Sequence, residues 1–207
     1  MPRRNRKGMV GIDTAIILIA FVLVAAAVAF VVLDMGMTSA QKAKQTMENG
    51  LQESSTALQV NGEVMAYINS NGYVQDIYIP LGVTPGTGYV SFAKNLLSVS
   101  LIAGSMSYAN IYNGVAGMIN NTTSNLTDIA SSLKDSGADA VVYFIHGNIT
   151  PFVLGPYGQA LLVIHLPDGL PAYESFTATI SPSVGGAISV SRVIPPDNIT
   201  NTVIDLG

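Results

Sequence analysis

From Ala15 to Leu33 the chain runs through nineteen apolar residues without a break. At 1.5 Å per residue that stretch is long enough to cross a bilayer as a helix. After Asp34 and Gly36 the pattern thins but keeps helical spacing, with Ala40, Ala43, Met47 and Leu51 at three- and four-residue steps. A continuous helix from Met9 to Thr56 is therefore predicted, about 72 Å long. At Leu58 the period changes to two. Leu58, Val60, Val64, Ala66 and Ile68 share one face, and Gln59, Asn61, Glu63, Tyr67 and Asn69 the other. Ser70-Asn71-Gly72 is a turn sequence, so residues 73–79 read as the returning strand. Further strands are predicted at 89–92, 97–102, 140–146, 159–166, 175–180, 187–194 and 202–206, with a short helix or loop at 126–134. Many short strands punctuated by Gly and Pro suggest a β-sandwich with an immunoglobulin-like layout. The predicted class is α+β: a long hydrophobic helix followed by a β-sandwich head.

Charge divides the chain differently. Four of its nine cations are Arg3, Arg4, Arg6 and Lys7, ahead of the apolar run. Basic residues before a spanning helix hold the N-terminus in the cytoplasm and send the rest outward. A secretory signal has a shorter apolar core and a small-residue cleavage site after it. Here the candidate processing point, Gly8-Met9, precedes the apolar run, so cutting there removes the charges and keeps the helix. The predicted organisation is a leader at 1–8, a hydrophobic assembly helix at 9–56 and an outer domain at 57–207. Losing the four leader cations takes the formal net charge from −4 to −8. Such an acidic remainder excludes nucleic acid as a partner.

The leader-helix junction, Arg6-Lys7-Gly8 followed by Gly11-Ile12-Asp13-Thr14 and the apolar run, resembles the N-terminus of archaeal flagellins (archaellins), within the type IV pilin-like superfamily. The close resemblance covers residues 6–33. It implies cleavage between Gly8 and Met9 by a membrane leader peptidase. It also implies export by an assembly ATPase machinery, and packing of the mature helix into the core of an extracellular filament used for swimming. Asp13, the fifth residue after the cut, departs from many archaellins and is similar to the acidic fifth residue of type IV pilins. The alternatives are an adhesive archaeal pilin, or a bitopic protein whose helix only anchors a ligand-binding head.

The residues support assembly independently. Ala25, Ala26, Ala27 and Ala29 give part of the helix small side chains, which let apolar helices approach closely. Thirteen residues between Ile16 and Leu33 are Ile, Leu, Val or Phe. Keeping them from water is worth roughly 20–40 kcal/mol. Lipid and a helix bundle hide them almost equally, so transfer between the two has little drive and extraction needs an external machine. Asp13 has two roles that can coexist. It can complement the helix N-terminus, or pair with the Met9 ammonium that cleavage creates, on its own or a neighbouring copy.

The remaining chemistry is sparse. Mean hydropathy is +0.43, 49% of residues are hydrophobic and 11% charged, and there is no cysteine, so disulfides and thiolate metal sites are excluded. Asn120, Asn121, Asn125, Asn148 and Asn198 each stand two residues before a Thr. Composition alone predicts about two such sequons, so they are either chance enrichment or N-glycosylation sites of an exported surface. The resemblance to archaellins favours glycans, first on the 120–125 cluster. His146 and His165, the only histidines, sit near the ends of apolar strands and read as structural. The acidic residues read as solvated. No phosphate loop, metal cluster or nucleophile-base pair stands out, so neither catalysis nor a cofactor or metal is expected.

Overall fold

The structure, a computed structural model, describes residues 7–55, 58–84, 88–119, 126, 129, 137–146, 152–196 and 199–207. The chain divides into two compact units, Met1–Gly50 and Leu51–Gly207. A single helix, α1 (Lys7–Ser55), accounts for the described part of the first and reaches into the second. It starts two residues before the predicted position, within the usual spread of helix ends. Asp34 and Gly36 do not interrupt it. Thr38 and Thr46 return their hydroxyls to the carbonyls of Asp34 and Lys42 at 2.8 and 2.9 Å, and Lys44 pairs with Glu48 at 3.6 Å one turn on. At 49 residues the helix is about 74 Å long.

Among the described residues the second unit contains thirteen strands: β1 (Leu58–Val60), β2 (Met65–Ile68), β3 (Val74–Val83), β4 (Val90–Ser91), β5 (Leu97–Ala103), β6 (Met106–Tyr108), β7 (Tyr112–Met118), β8 (Asp139–His146), β9 (Val153–Leu154), β10 (Gln159–Leu170), β11 (Ser175–Pro182), β12 (Ile188–Val193) and β13 (Thr202–Asp205). One sheet has the order β13-β2-β3-β10-β8-β7 with β1 also on β3. A second has the order β12-β11-β5-β6, and β4 pairs with β9 in a short ribbon. A single apolar core joins all three. It takes Ile77, Ile79, Leu162 and Ile164 from the large sheet, Val99, Leu101, Ala178 and Ile180 from the small one, and Val90, Phe92 and Leu154 from the ribbon. Phe92 meets Phe144 edge to face, with centroids 5.7 Å apart.

Three features differ from the sequence pattern. The alternating run from Leu58 to Ile68 is two strands rather than one. Pro80 accepts a hydrogen bond from the Asn61 N–H at 2.9 Å, so its backbone faces the β1–β2 line. Lacking an N–H there, it cannot continue the ladder, and residues 61–64 loop past it between the pairs Val60↔Leu81 and Met65↔Tyr78. Strands β6, β7 and β9 were not foreseen; β6 and β9 are very short, and β7 contains Gly114 and Gly117, both poor strand formers. Third, β7 runs parallel to β8. Of the segment 126–134 only Leu126 and Ile129 are described, both helical. Ile129 belongs to a second apolar cluster, with Tyr78, Val141, Leu161 and Val163, on the outer face of the large sheet. That sheet is buried on both faces, which is why β3 and β10 read as nearly continuous apolar runs.

Candidate assembly helix and processing site

From Gly11 to Leu51 every residue of α1 is exposed in the isolated subunit, Phe21 and Phe30 by 74% and 73%. Four successive apolar residues, Ile16 to Ile19, cover more than a full turn, so the helix is greasy on every side rather than on a stripe. Water cannot be its resting environment. Within Gly11–Leu51 the mean hydropathy reaches 3.4, and the helix is long and apolar enough to span a membrane.

The small side chains form a longer line than the alanine cluster alone. At 100° per residue Ala25, Ala29, Gly36, Ala40 and Ala43 fall within an arc of about 60°. Ala26 and Ala27 lie to one side of it. A side chain built on Gly36 would meet nothing within 4 Å among the described residues, so none of them requires glycine there. Asp13 is exposed in the second turn. The Gly8-Met9 bond lies inside the first turn of α1, where backbone N–H groups lack intrahelical partners. The five sequon asparagines, Asn120, Asn121, Asn125, Asn148 and Asn198, lie outside the described residues.

Among the described residues the head contains a buried polar pair that the sequence pattern did not reveal. Asp76 and His165 face each other on β3 and β10, and Nδ1 of His165 lies 2.6 Å from Oδ1 of Asp76 with both side chains buried. Asp76 is therefore not solvated. Its place in the pattern Asp76-Ile77-Tyr78-Ile79 gave the only signal, since a carboxylate inside an apolar strand needs a partner. Tyr78, on the same face, donates its hydroxyl to the Leu126 carbonyl at 3.0 Å. Burial first, then the Asp76 carboxylate and Tyr67, raises its pKa well above the ordinary tyrosine value. His146, by contrast, ends β8 in the open.

The model of the archaeal-type flagellin family matches residues 8–192. A probable flagellin 1 of Aeropyrum pernix is 40% identical over 204 residues, 99% of this chain and the whole of the relative. Among solved structures, the archaeal flagellum of Methanospirillum hungatei superposes with a TM-score of 0.64 at 20% identity, covering 94% of this chain and 98% of that one. A crystal structure of flagellin FlaB1 from Methanocaldococcus jannaschii gives 0.59 at 18% identity over 73% of this chain and 96% of that one. A family match that begins at Gly8, a relative matched end to end and a shared helix-plus-head fold agree: the chain belongs to the archaeal-type flagellin family, the structural subunits of archaeal flagellar filaments.

Proposed function

We propose that the chain is inserted with residues 1–8 on the cytoplasmic side and is cut between Gly8 and Met9 by a membrane leader peptidase. An ATP-driven export machine then draws it from the membrane, and it polymerises through α1 as the core of an extracellular filament that drives swimming. The observation that carries this is the full exposure of an all-round apolar helix too long for a bilayer, about 74 Å against about 30 Å of hydrocarbon. A lone anchor needs no such length and no small-residue line. A bundle of copies uses both.

Cleavage at Gly8-Met9 places a new ammonium one turn from Asp13. An isolated charge of either sign is costly in an apolar bundle, so Asp13 pairs with the Met9 amine of its own or a neighbouring copy. Asn120, Asn121 and Asn125 are the first candidates for glycans on the exported surface, followed by Asn148 and Asn198. The decisive experiment is electron microscopy of filaments sheared from cells, with mass spectrometry of the subunit. A mature N-terminus at Met9 in helical filaments is expected; a start at Met1, or a cut beyond Leu33, refutes the proposal. Asp13→Ala should slow assembly while the head stays folded, with Asp13→Asn between it and the parent. Wild-type assembly rates in both variants would reduce Asp13 to an ordinary residue near the helix start.

A further inference from the structure

The β4–β9 ribbon has two unlike sides. Val90, Phe92 and Leu154 are buried in the core, while Tyr89, Phe152 and Tyr157 stand out from it, exposed by 69%, 41% and 78%. Tyr89 and the turn that carries Tyr157 lie together, while Phe152 pairs with Phe92 at the other end of the ribbon. Phe92 donates its N–H to the Phe152 carbonyl at 2.8 Å, and the Tyr89 ring lies so close over Gly155 that a Cβ there would come within 2.8 Å of it. Gly155-Pro156-Tyr157-Gly158 closes a turn through the Gly158 N–H to the Gly155 carbonyl at 2.9 Å. Tyr157 holds φ +65°, at the position where such a turn ordinarily takes glycine. Phe152 holds φ +63°. Each left-handed aromatic costs about 1–2 kcal/mol, and the isolated subunit returns nothing for the 78% exposed Tyr157.

Charge and area together indicate the occupant. Residues 57–207 hold nine acids against three bases, so neighbouring heads repel. Residues 77–93 and 140–167, which build the ribbon and its surroundings, contain no Asp, Glu, Lys or Arg. A second surface is uncharged at its centre, with Glu174 and Arg192 only at its margins. On the outward face of β5, β11 and β12, Ser100, Thr177, Thr179, Ser189 and Ser191 surround the exposed Ile102. Thr177 donates to the Ser191 hydroxyl at 3.1 Å, and the hydroxyls of Thr179 and Ser189 lie 2.9 Å apart. Tyrosine suits such a face, because the ring packs on an aliphatic side chain while its hydroxyl bonds to Ser or Thr. Tyr89 and Tyr157 together expose on the order of 300 Å², less than half of what each partner of a free-standing complex needs. Such an area is too small to make a dimer in solution, and sufficient where a helix core already holds the heads side by side.

We propose that the Tyr89–Tyr157 patch of one head seats on the hydroxyl-rich face of the four-stranded sheet of a neighbouring copy. Two different faces meet, which is the kind of contact that propagates into an open helix. The inference rests on the polymer reading above. Its test uses full-length chains assembled into native filaments. Tyr157→Gly suits the left-handed backbone and keeps the turn, so the head folds as before. Its filaments should dissociate several degrees below the parent. Because the chain has no cysteine, Tyr157→Cys combined with Ser191→Cys should give a ladder of covalent multimers under a mild thiol oxidant, with at most dimers from either single variant. A Tyr157→Gly filament as heat-stable as the parent, or a double-cysteine filament without a ladder, overturns the contact alone. A parent chain found only in membranes, never in filaments, overturns the polymer reading and this contact with it.

Discussion

Asp76 and His165 set a residue-scale problem that the head solves by pairing them, both buried, across adjacent strands. Removing either partner leaves the other buried without compensation, so Asp76→Val or His165→Leu alone should destabilise the head by about 3 kcal/mol. The double variant replaces the pair by apolar packing and should recover most of that loss. Guanidinium unfolding of the full chain in detergent measures the cycle; strictly additive losses would mean that the two side chains act separately. A second residue-scale consequence concerns base. Tyr78 and Tyr112 are both raised above their ordinary 10.0 by burial, Asp76 adding to the effect at Tyr78. Below pH 10 folded and unfolded chains both hold these protons. Above it only the unfolded chain releases them, so stability falls as pH rises past about 10. Tyr78→Phe should flatten that fall and cost about 1 kcal/mol at neutral pH for the lost hydrogen bond to Leu126. An unchanged alkaline slope would argue against Tyr78 as a source.

At the scale of elements, the helix was legible and the sheets only partly. Nineteen unbroken apolar residues followed by three- and four-residue spacing allow one local reading, and α1 follows it through Asp34 and Gly36. The hairpin around Asn71-Gly72 was legible for the same reason. Its turn chemistry is local, with the Asn69 carboxamide accepting the N–H groups of Asn71 and Tyr73. Strand β7 and its parallel pairing with β8 were not, because they depend on partners far along the chain and on a glycine-rich segment with little strand preference. The Asp76–His165 pair was hidden likewise, since its members are 89 residues apart. The small-residue line emerges when Gly36, Ala40 and Ala43 are projected on one helix with Ala25 and Ala29. It yields a clean test at Gly36. Leucine there has open space among the described residues and improves helix propensity by about 1 kcal/mol, so the isolated helix should be no worse. If copies meet along this line, Gly36→Leu should nevertheless reduce filament yield sharply while membrane-held subunit accumulates. Val28→Leu, off the line, is the control. Equal yields from both variants would place the contact elsewhere on the helix.

The whole molecule joins an apolar helix to an acidic head, and the two parts pull assembly in opposite directions. Burying the helix among copies opposes escape into water by roughly 20–40 kcal/mol per subunit, and this term depends little on salt. The heads contribute the reverse. Residues 57–207 carry nine acids and three bases, a formal charge of −6, and a filament brings neighbouring heads of like charge together. Repulsion between neighbours therefore weakens the filament most at low ionic strength, where the screening length is about 30 Å at 0.01 M, and less at 0.15 M, where it is about 8 Å. Sheared filaments should accordingly dissociate at a higher temperature in 0.15 M salt than in 0.01 M, the rise levelling off once screening is complete. Light scattering during a thermal ramp at several salt concentrations measures it. The sign is the diagnostic: a filament held by ion pairs between heads would lose stability as salt is added. A midpoint that falls with salt would reverse the roles argued here for the charged surface and the neutral faces, since the heads would then be holding the polymer together through their charges.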